Sequence, residues 1–372
     1  MPMRQGPARP HILMSADALG GVWQYSLELA RGLGRHGLSV TLALMGPAPS
    51  AGALTRAETE TGARIVPTGL PLDWTARRPA EVVAAAAALA RLAGDVGADL
   101  VHLHAPALAL GAFEVPVVAV CHSCVATWWA ALGDGPLPED LAWRSELAAR
   151  GCRAADRLLA PTRAFAEATR AAYGLPQPPQ VVCNGRHCAE TLPETAPVAH
   201  AFTAGRLWDP AKNATALDRM AARLDVPLFA AGPVEGPNGE RCTPTHLRPL
   251  GRLDGAGMAR ELDRRPVFVS LARYEPFGLA VLEAAGAGCA LVLSDIPTFS
   301  ELWQDAAILI PADDEATAAQ AAKGLLADPD KRARLAGAAR ARAARYGTEA
   351  MTAGVLGVFR DCLGADAAGA AA

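Results

Sequence analysis

Short apolar runs alternate with amphipathic, helix-like stretches along the whole chain, a pattern that belongs to α/β layers around parallel sheets. A strand buried on both faces needs a continuous apolar run, and a crossover helix must return the chain before the next parallel strand. In the first half the runs are His11–Ser15, Leu38–Met45, Arg64–Pro67, Asp99–His104, Val115–His122, Arg157–Ala160 and Gln180–Cys183. Periodicity predicts helices from Gly20-Gly21 to about His36, over Ala80–Gly94, over Glu139–Ala154 and over Thr162–Tyr173. After Asn184-Gly185 the pattern stops, and Arg186–Val198, with Pro193 and Pro197, reads as a linker. A second series follows. Its strands are His200–Ala204, Pro227–Ala231, His246–Leu250, Val267–Ser270, Ala290–Ser294 and Ala307–Ile310. Its helices are about Lys212–Leu224, Gly255–Leu262, Gly278–Ala287, Glu315–Ala327 and Asp330–Tyr346. The expected organisation is one doubly wound, Rossmann-like domain over residues 1–185, a linker over 186–198, a second such domain over 199–346, and a last helix, Glu349–Cys362, with a frayed alanine-rich tail over 347–372. At 372 residues each domain can hold its own core. Doubly wound sheets carry their ligand loops at the carboxyl ends of the strands, so a cleft between the two domains is the expected site.

Composition narrows the partners. The net charge is −3, with no basic excess to hold nucleic acid. Nearly all the positive charge is arginine; Lys212, Lys323 and Lys331 are the only lysines, which draws attention to Lys212 as a compact point charge. The longest apolar stretch, Val82–Ala90, is nine residues, against ~20 needed to span a bilayer. MPMRQGPARP lacks the apolar region of a signal peptide, and the eight cysteines form no spaced framework. Reduced thiols and a cytoplasmic location are expected.

The chemistry concentrates in Ala272–Asp295. Glu275-Pro276-Phe277-Gly278 reads as a loop opening a helix at Leu279, and Gly286 and Gly288 close that helix. Glu275 and Glu283 are eight residues apart, which at helical rise is about 10–12 Å. Two carboxylates flanking one glycosidic bond sit roughly 5–9.5 Å apart, so this pair suits the two ends of an elongated ligand instead. The helix N-terminus between them favours an anion. Hydroxyls at both ends and phosphates in the middle describe a nucleotide-sugar. Glu283 lies among Leu279, Val281, Leu282, Ala284 and Ala285, and a carboxylate in so apolar a helix is seldom buried without a partner. Gly20 and Gly21 open the first helix and let backbone approach a ligand, although a tight turn explains them equally well. Cys121-x-x-Cys124 with His102 and His104 also has metal-type residues, but a single Cys-x-x-Cys lacks a second ligand pair at metal spacing.

Glu275–Glu283 with PFGLAVLEA between them, continuing through Leu291–Asp314, resembles the E-x7-E region of the family-4 retaining glycosyltransferases, which have the GT-B fold. The resemblance implies two Rossmann-like domains facing across a cleft, acceptor on the N-terminal side and nucleotide-sugar on the C-terminal side, with the last helix crossing back to the N-terminal domain. It implies a hexose transferred with retention from a UDP-, GDP- or ADP-sugar to an acceptor hydroxyl, with no cofactor and no metal. The one Asp-x-Asp, Asp328-Pro329-Asp330, falls in a late turn. Gly205-Arg206…Lys212 resembles the family's diphosphate-binding signature, with its two cations six residues apart, one more than the common spacing. Such cations stabilise the leaving diphosphate. By the same resemblance Glu275 binds donor-sugar hydroxyls, the backbone of Phe277, Gly278 and Leu279 lies under sugar and phosphates, and Glu283 takes the ribose. Arg252 and Leu253 fall where the base is held. His122 matches the active-site histidine, in contact with sugar or acceptor. Gly20 and Gly21 match the glycine loop facing phosphate or acceptor; His104, ending the neighbouring strand, is a weaker candidate. Asn184-Gly185 matches a structural turn. The acceptor is a sugar, a lipid-linked sugar or a small molecule, with peripheral membrane contact possible. Two alternatives stay open: a nucleotide-sugar epimerase or hydrolase of the same fold, or a catalytically dead nucleotide-sugar-binding protein.

Overall fold

The computed structural model describes residues 9–364 apart from 19, 189–190 and 238; the alanine-rich tail lies outside them. The chain forms two compact units. One comprises the chain up to Trp129, Gly135–Gly185 and the chain from Thr348; the other comprises Ala130–Asp134 and Arg186–Gly347.

The first unit is built on seven strands: β1 (His11–Asp17), β2 (Ser39–Met45), β3 (Arg64–Pro67), β4 (Leu100–Leu103), β5 (Val117–Val120), β6 (Arg157–Ala160) and β7 (Gln180–Val181). They pair in the order β3-β2-β1-β4-β5-β6-β7, all parallel. Helices α1 (Gly21–Arg35), α2 (Ala51–Thr61), α3 (Pro79–Asp95), α4 (Val125–Leu132), α5 (Glu139–Ala154) and α6 (Arg163–Tyr173) make the crossovers. Both faces of the sheet are covered, which is why these strands read as continuous apolar runs. Ile12, Met14, Leu42 and Leu44 pack on the α1 side, and Leu13, Ala43, Val101 and Leu103 on the α3 side.

The second unit has six strands: β8 (Ala201–Ala204), β9 (Leu228–Ala231), β10 (Arg248–Gly251), β11 (Val267–Ser270), β12 (Leu291–Ser294) and β13 (Ile308–Ile310). Their order is β10-β9-β8-β11-β12-β13, again parallel. The helices are α7 (Ala214–Ala221), α8 (Gly255–Asp263), α9 (Leu279–Gly286), α10 (Pro297–Trp303), α11 (Glu315–Ala327) and α12 (Pro329–Ala343).

The last helix, α13 (Thr348–Leu363), belongs to the first unit, as the GT-B resemblance implies. It packs on α1 so closely that a Cβ on Gly32 would stand 2.1 Å from Thr352 Oγ1. Met351, Val355, Val358 and Phe359 complete the core on that face.

Three expectations are corrected. Segment 186–198 does not stand apart as a linker: Cys188 and Leu192 pack where Cβ atoms on Gly286 and Gly288 would sit, and Arg265 donates to the Thr195 carbonyl. The helix expected from Lys212 starts at Ala214, because Asn213 takes a left-handed conformation with φ 54°. Its Nδ2 donates to the carbonyls of Leu271 (3.0 Å) and Ala312 (2.9 Å), which stabilise that turn. Helices α2, α4 and α10 and the 3-10 turn Pro106–Leu110 were not anticipated.

Candidate functional site

In each sheet the strand order reverses direction once, between β1 and β4 and between β8 and β11. Loops leaving the carboxyl ends on either side of such a point diverge and leave room for a ligand. Gly20, Gly21, His104, Arg206, Lys212, Glu275, Phe277 and Gly278 fall on or at the end of these loops; His122 follows β5, Arg252 and Leu253 follow β10, and Glu283 lies within α9.

In the second unit, β8 leads into Gly205–Lys212 and β11 into Leu271–Gly278. The two loops are tied together: the Arg273 amide donates to the Ala211 carbonyl at 2.9 Å. Lys212 Nζ meets Glu275 Oε2 at 2.5 Å, and both side chains are about four-fifths buried. Two candidates 63 residues apart in sequence thus form one ion pair. Thr298 Oγ1 donates to the Glu275 carbonyl at 2.5 Å and holds the loop. Gly278 caps α9 with φ 90°, a conformation that favours glycine, and a Cβ there would approach Phe299 to 2.9 Å. Phe277 is buried edge-on against Tyr346, while Leu279 begins the helix half-buried.

Arg206 does not join Lys212 directly. Its Nη2 donates to Asp209 Oδ2 at 2.9 Å, and its guanidinium lies over Trp208 at 5.6 Å; half of the side chain stays exposed. Asp209 Oδ1 also accepts from the Ala211 amide at 3.0 Å, which shapes the 3-10 turn before Lys212 and accommodates the extra residue between the two cations. Glu283 has the partner that its apolar helix demanded: Arg186 Nε donates to its Oε1 at 2.7 Å, and Arg186 Nη2 bonds the same oxygen. No sequence pattern announced Arg186, which sits in the stretch without periodicity. Arg252 is exposed and Leu253 half-buried, between β10 and α8, and Asp254 caps α8 by accepting from the Gly257 amide at 2.7 Å.

In the first unit, Gly20 adopts φ 109° ahead of α1 with open space where a Cβ would be, so its conformation, not crowding, calls for glycine. Beyond β4 and β5, His104 Nδ1 and His122 Nε2 are 3.0 Å apart. Tyr25 of α1 packs edge-on against both rings, at 5.1 and 4.7 Å between centroids. His102 lies behind them, 5.0 Å from His104 and 5.5 Å from Phe359. Burial pushes His122 down to about 4 and His102 to about 3, and holds His104 well below the ordinary imidazole range. All three are therefore neutral at pH 7. Among the described residues no group of three His, Cys, Asp or Glu side chains could hold a metal ion, the Cys121/Cys124 and His102/His104 set included. No described helix is long and apolar enough to cross a membrane.

The histidines make stability pH-dependent. A histidine whose folded pKa is lowered binds its proton more weakly in the native chain than in the unfolded one. Its contribution is complete above about 6.5 and is lost as pH falls towards 4. Neither ring nitrogen of fully buried His102 has a partner. His102→Leu should therefore cost little at pH 7 and flatten the decline below pH 6 by up to ~1.4 kcal/mol per pH unit. Urea unfolding at pH 7, 6 and 5 reads this out; parallel declines in both proteins would contradict it.

Solved structures define the class. Sucrose-phosphate synthase from Thermosynechococcus elongatus superposes with a TM-score of 0.76 at 17% identity, covering 95% of this chain and 99% of that one. HepE of Anabaena, in complex with UDP and glucose, gives 0.69 at 17% identity over 94% and 98%. WaaG, a glycosyltransferase involved in lipopolysaccharide biosynthesis, gives 0.66 at 15% over 94% and 99%. The fold is that of the GT-B glycosyltransferases. The family model described as Glycosyltransferase Family 4 matches residues 19–190, and that described as Glycosyl transferases group 1 matches 243–342. The chain belongs to glycosyltransferase family 4. Among curated relatives, phosphatidyl-myo-inositol mannosyltransferase of Mycolicibacterium smegmatis is 34% identical over 123 residues, and that of Mycobacterium leprae 31% over 117. These matches span about a third of each relative's length: 32% and 31%.

Proposed function

We propose that this glycosyltransferase moves a hexose from a nucleotide-diphosphate sugar to an acceptor hydroxyl with retention and without a metal. The Lys212–Glu275 ion pair beside the Gly278 cap of α9 carries the reading. It sets a cation for the diphosphate and a carboxylate for sugar hydroxyls against a helix N-terminus that favours anions. In the resting protein each charge satisfies the other. On binding, Lys212 turns to the diphosphate, where Arg206 supplies the second cation, and Glu275 turns to the sugar. The backbone of Phe277, Gly278 and Leu279 lies under sugar and phosphates. Arg186 takes Oε1 of Glu283, and Oε2 is assigned to the ribose hydroxyls. Arg252 and Leu253 are assigned to the base, and Gly20, Gly21 and His122 to the acceptor side. The departing phosphate receives the acceptor's proton on the face it leaves.

The mannosyltransferase relatives support a hydroxyl-rich acceptor attached to lipid over a free sugar or small molecule. A cytoplasmic, membrane-peripheral enzyme fits that acceptor.

A thermal-shift panel of UDP-, GDP- and ADP-sugars tests the donor. Ligand at about a hundredfold over Kd stabilises by ~2.7 kcal/mol, a rise of several degrees for one sugar-nucleotide class. If none of the three raises the melting temperature, the reading fails. Rapid breakdown of the stabilising donor with no acceptor present would instead mark a hydrolase or epimerase.

A further inference from the structure

The first unit holds an imidazole pair whose proton placement can be worked out. Leu103 of β4 pairs with Ala119 of β5, so the residues just past these strand ends are neighbours. The His104 amide donates to Ser15 Oγ at 2.9 Å, which fixes its main chain. Its Nδ1 lies 3.0 Å from His122 Nε2, a distance for one N–H···N hydrogen bond with one shared proton. Either ring could donate. His104 Nε2 decides between them, because it is buried and has no partner. A proton there would leave an orphaned buried N–H, which forfeits its hydration with no hydrogen bond in return. A bare lone pair in that position is tolerated better than an orphaned donor. The proton therefore belongs on His104 Nδ1 and is donated to His122 Nε2. Neutral His122, its Nε2 lone pair in use, must carry its own proton on Nδ1.

We propose that His104 is a positioning residue that fixes the ring plane of His122 and locks it as the Nδ1–H tautomer, so that His122 meets a sugar or acceptor hydroxyl as a hydrogen-bond donor and not as a base. His104 itself touches no ligand: Nδ1 is committed and Nε2 is enclosed. That differs from its sequence-based assignment as a contact in the acceptor loop. The edge-on Tyr25 ring walls both imidazoles and limits their rotation. With its second nitrogen already protonated, His122 cannot take the acceptor's proton, which must go to the leaving phosphate. The inference rests on the proposed role of His122 at the acceptor side; the hydrogen bond itself does not.

The test uses the full chain with ring-15N histidine and long-range 1H–15N spectra at pH 7, the His122 signals being those lost in His122→Gln. His122 is expected to show a protonated Nδ1 and a pyridine-type Nε2. Asn can place its Nδ2–H where the imidazole Nδ1–H sits, so His104→Asn should keep this pattern and kcat within about threefold. His104→Leu should move a large part of His122 to the Nε2–H form and lower kcat about tenfold. A purely structural role for His104 would not give rescue by Asn together with a tautomer change in Leu. An Nε2–H tautomer in the wild type overturns the proposal, even if the Leu variant does not fold. An unchanged tautomer in His104→Leu overturns it as well. If the tautomers behave as stated but His122→Gln keeps full activity, the proton placement stands and the acceptor-side role of His122 falls.

Discussion

Lys212→Met and Glu275→Gln are each expected to lower kcat/KM by about 10²–10³-fold while leaving the chain folded. The size follows from the charge each must meet. A preorganised donor facing developing anionic charge in a partly dry site contributes ~3–4 kcal/mol to the transition state. Lys212 can be such a donor because the 3-10 turn Pro210–Lys212 and the Asn213 cap aim it at the α9 N-terminus. Stability separates this role from a structural one. Removing one partner of a mostly buried pair leaves the other charge uncompensated, so each single variant should melt below the wild type. The double variant Lys212→Met/Glu275→Gln should recover much of that stability, since no lone charge remains, and should stay inactive. Transfer rates for the singles come from the donor that stabilises the wild type, and melting temperatures come from calorimetry. Wild-type rates in either single variant would remove that residue from the reaction.

Much of the fold was legible, for a reason that the burial explains. Sheets covered on both faces leave uninterrupted apolar strands such as β5 and β12, and the thirteen strands among the described residues fall close to the expected places. Ends were trimmed where proline withholds an amide: the run from Val115 starts as β5 only after Pro116, and that from Pro227 starts at Leu228. The unanticipated helices lack a clear apolar stripe. Helix α2 is mostly polar and exposed, and α10 is seven residues opened by Pro297. Helix α4, VATWWAAL, is apolar on all sides yet only Thr127 is buried, so its sequence shows no amphipathic period.

The second unit's site was legible where its residues share one loop and hidden where they pair across the chain. Glu275, Gly278 and Lys212 stood out by type and spacing, and the structure joins Lys212 to Glu275. Arg186 is 97 residues from Glu283, in a segment without periodicity, so only coordinates reveal the pair. Asp209 was visible as a residue but not as the anchor of Arg206. His102 stood out only as a metal-type residue and Tyr25 as an ordinary helix residue, although both pack against the His104–His122 pair.

Gly232→Ala is expected to be the most damaging single methyl that the second unit can receive near the Arg206 loop. Gly232 follows β9 with φ 136°, and a Cβ on it would lie 1.7 Å from the Gly205 carbonyl oxygen. That oxygen cannot swing aside like a side chain. The Gly205 amide donates to Ala231 (2.9 Å), the Gly232 amide to Gly251 (2.8 Å) and the Leu207 amide to Pro233 (3.0 Å), which laces the ends of β8, β9 and β10 together. The methyl must therefore push the Gly205–Arg206 turn off its strand or break these bonds. Overpacking costs ~1–3 kcal/mol and the strained φ adds ~1–3 kcal/mol more, so the loss should be about 2–6 kcal/mol. Whatever remains folded should bind nucleotide-sugar weakly, because the displaced turn carries Arg206. Two controls separate the causes. Gly205→Ala meets the Lys212 side chain, with Cγ nearest at 3.5 Å, an ordinary contact, and should melt close to the wild type. Gly239→Ala has φ 94° but open space, so it should show the strain alone. Urea unfolding of the three variants should rank Gly232→Ala far below Gly239→Ala, and Gly239→Ala somewhat below Gly205→Ala. Equal stability of Gly232→Ala and Gly239→Ala would mean that backbone strain, and not the Gly205 carbonyl, sets the limit at this strand end.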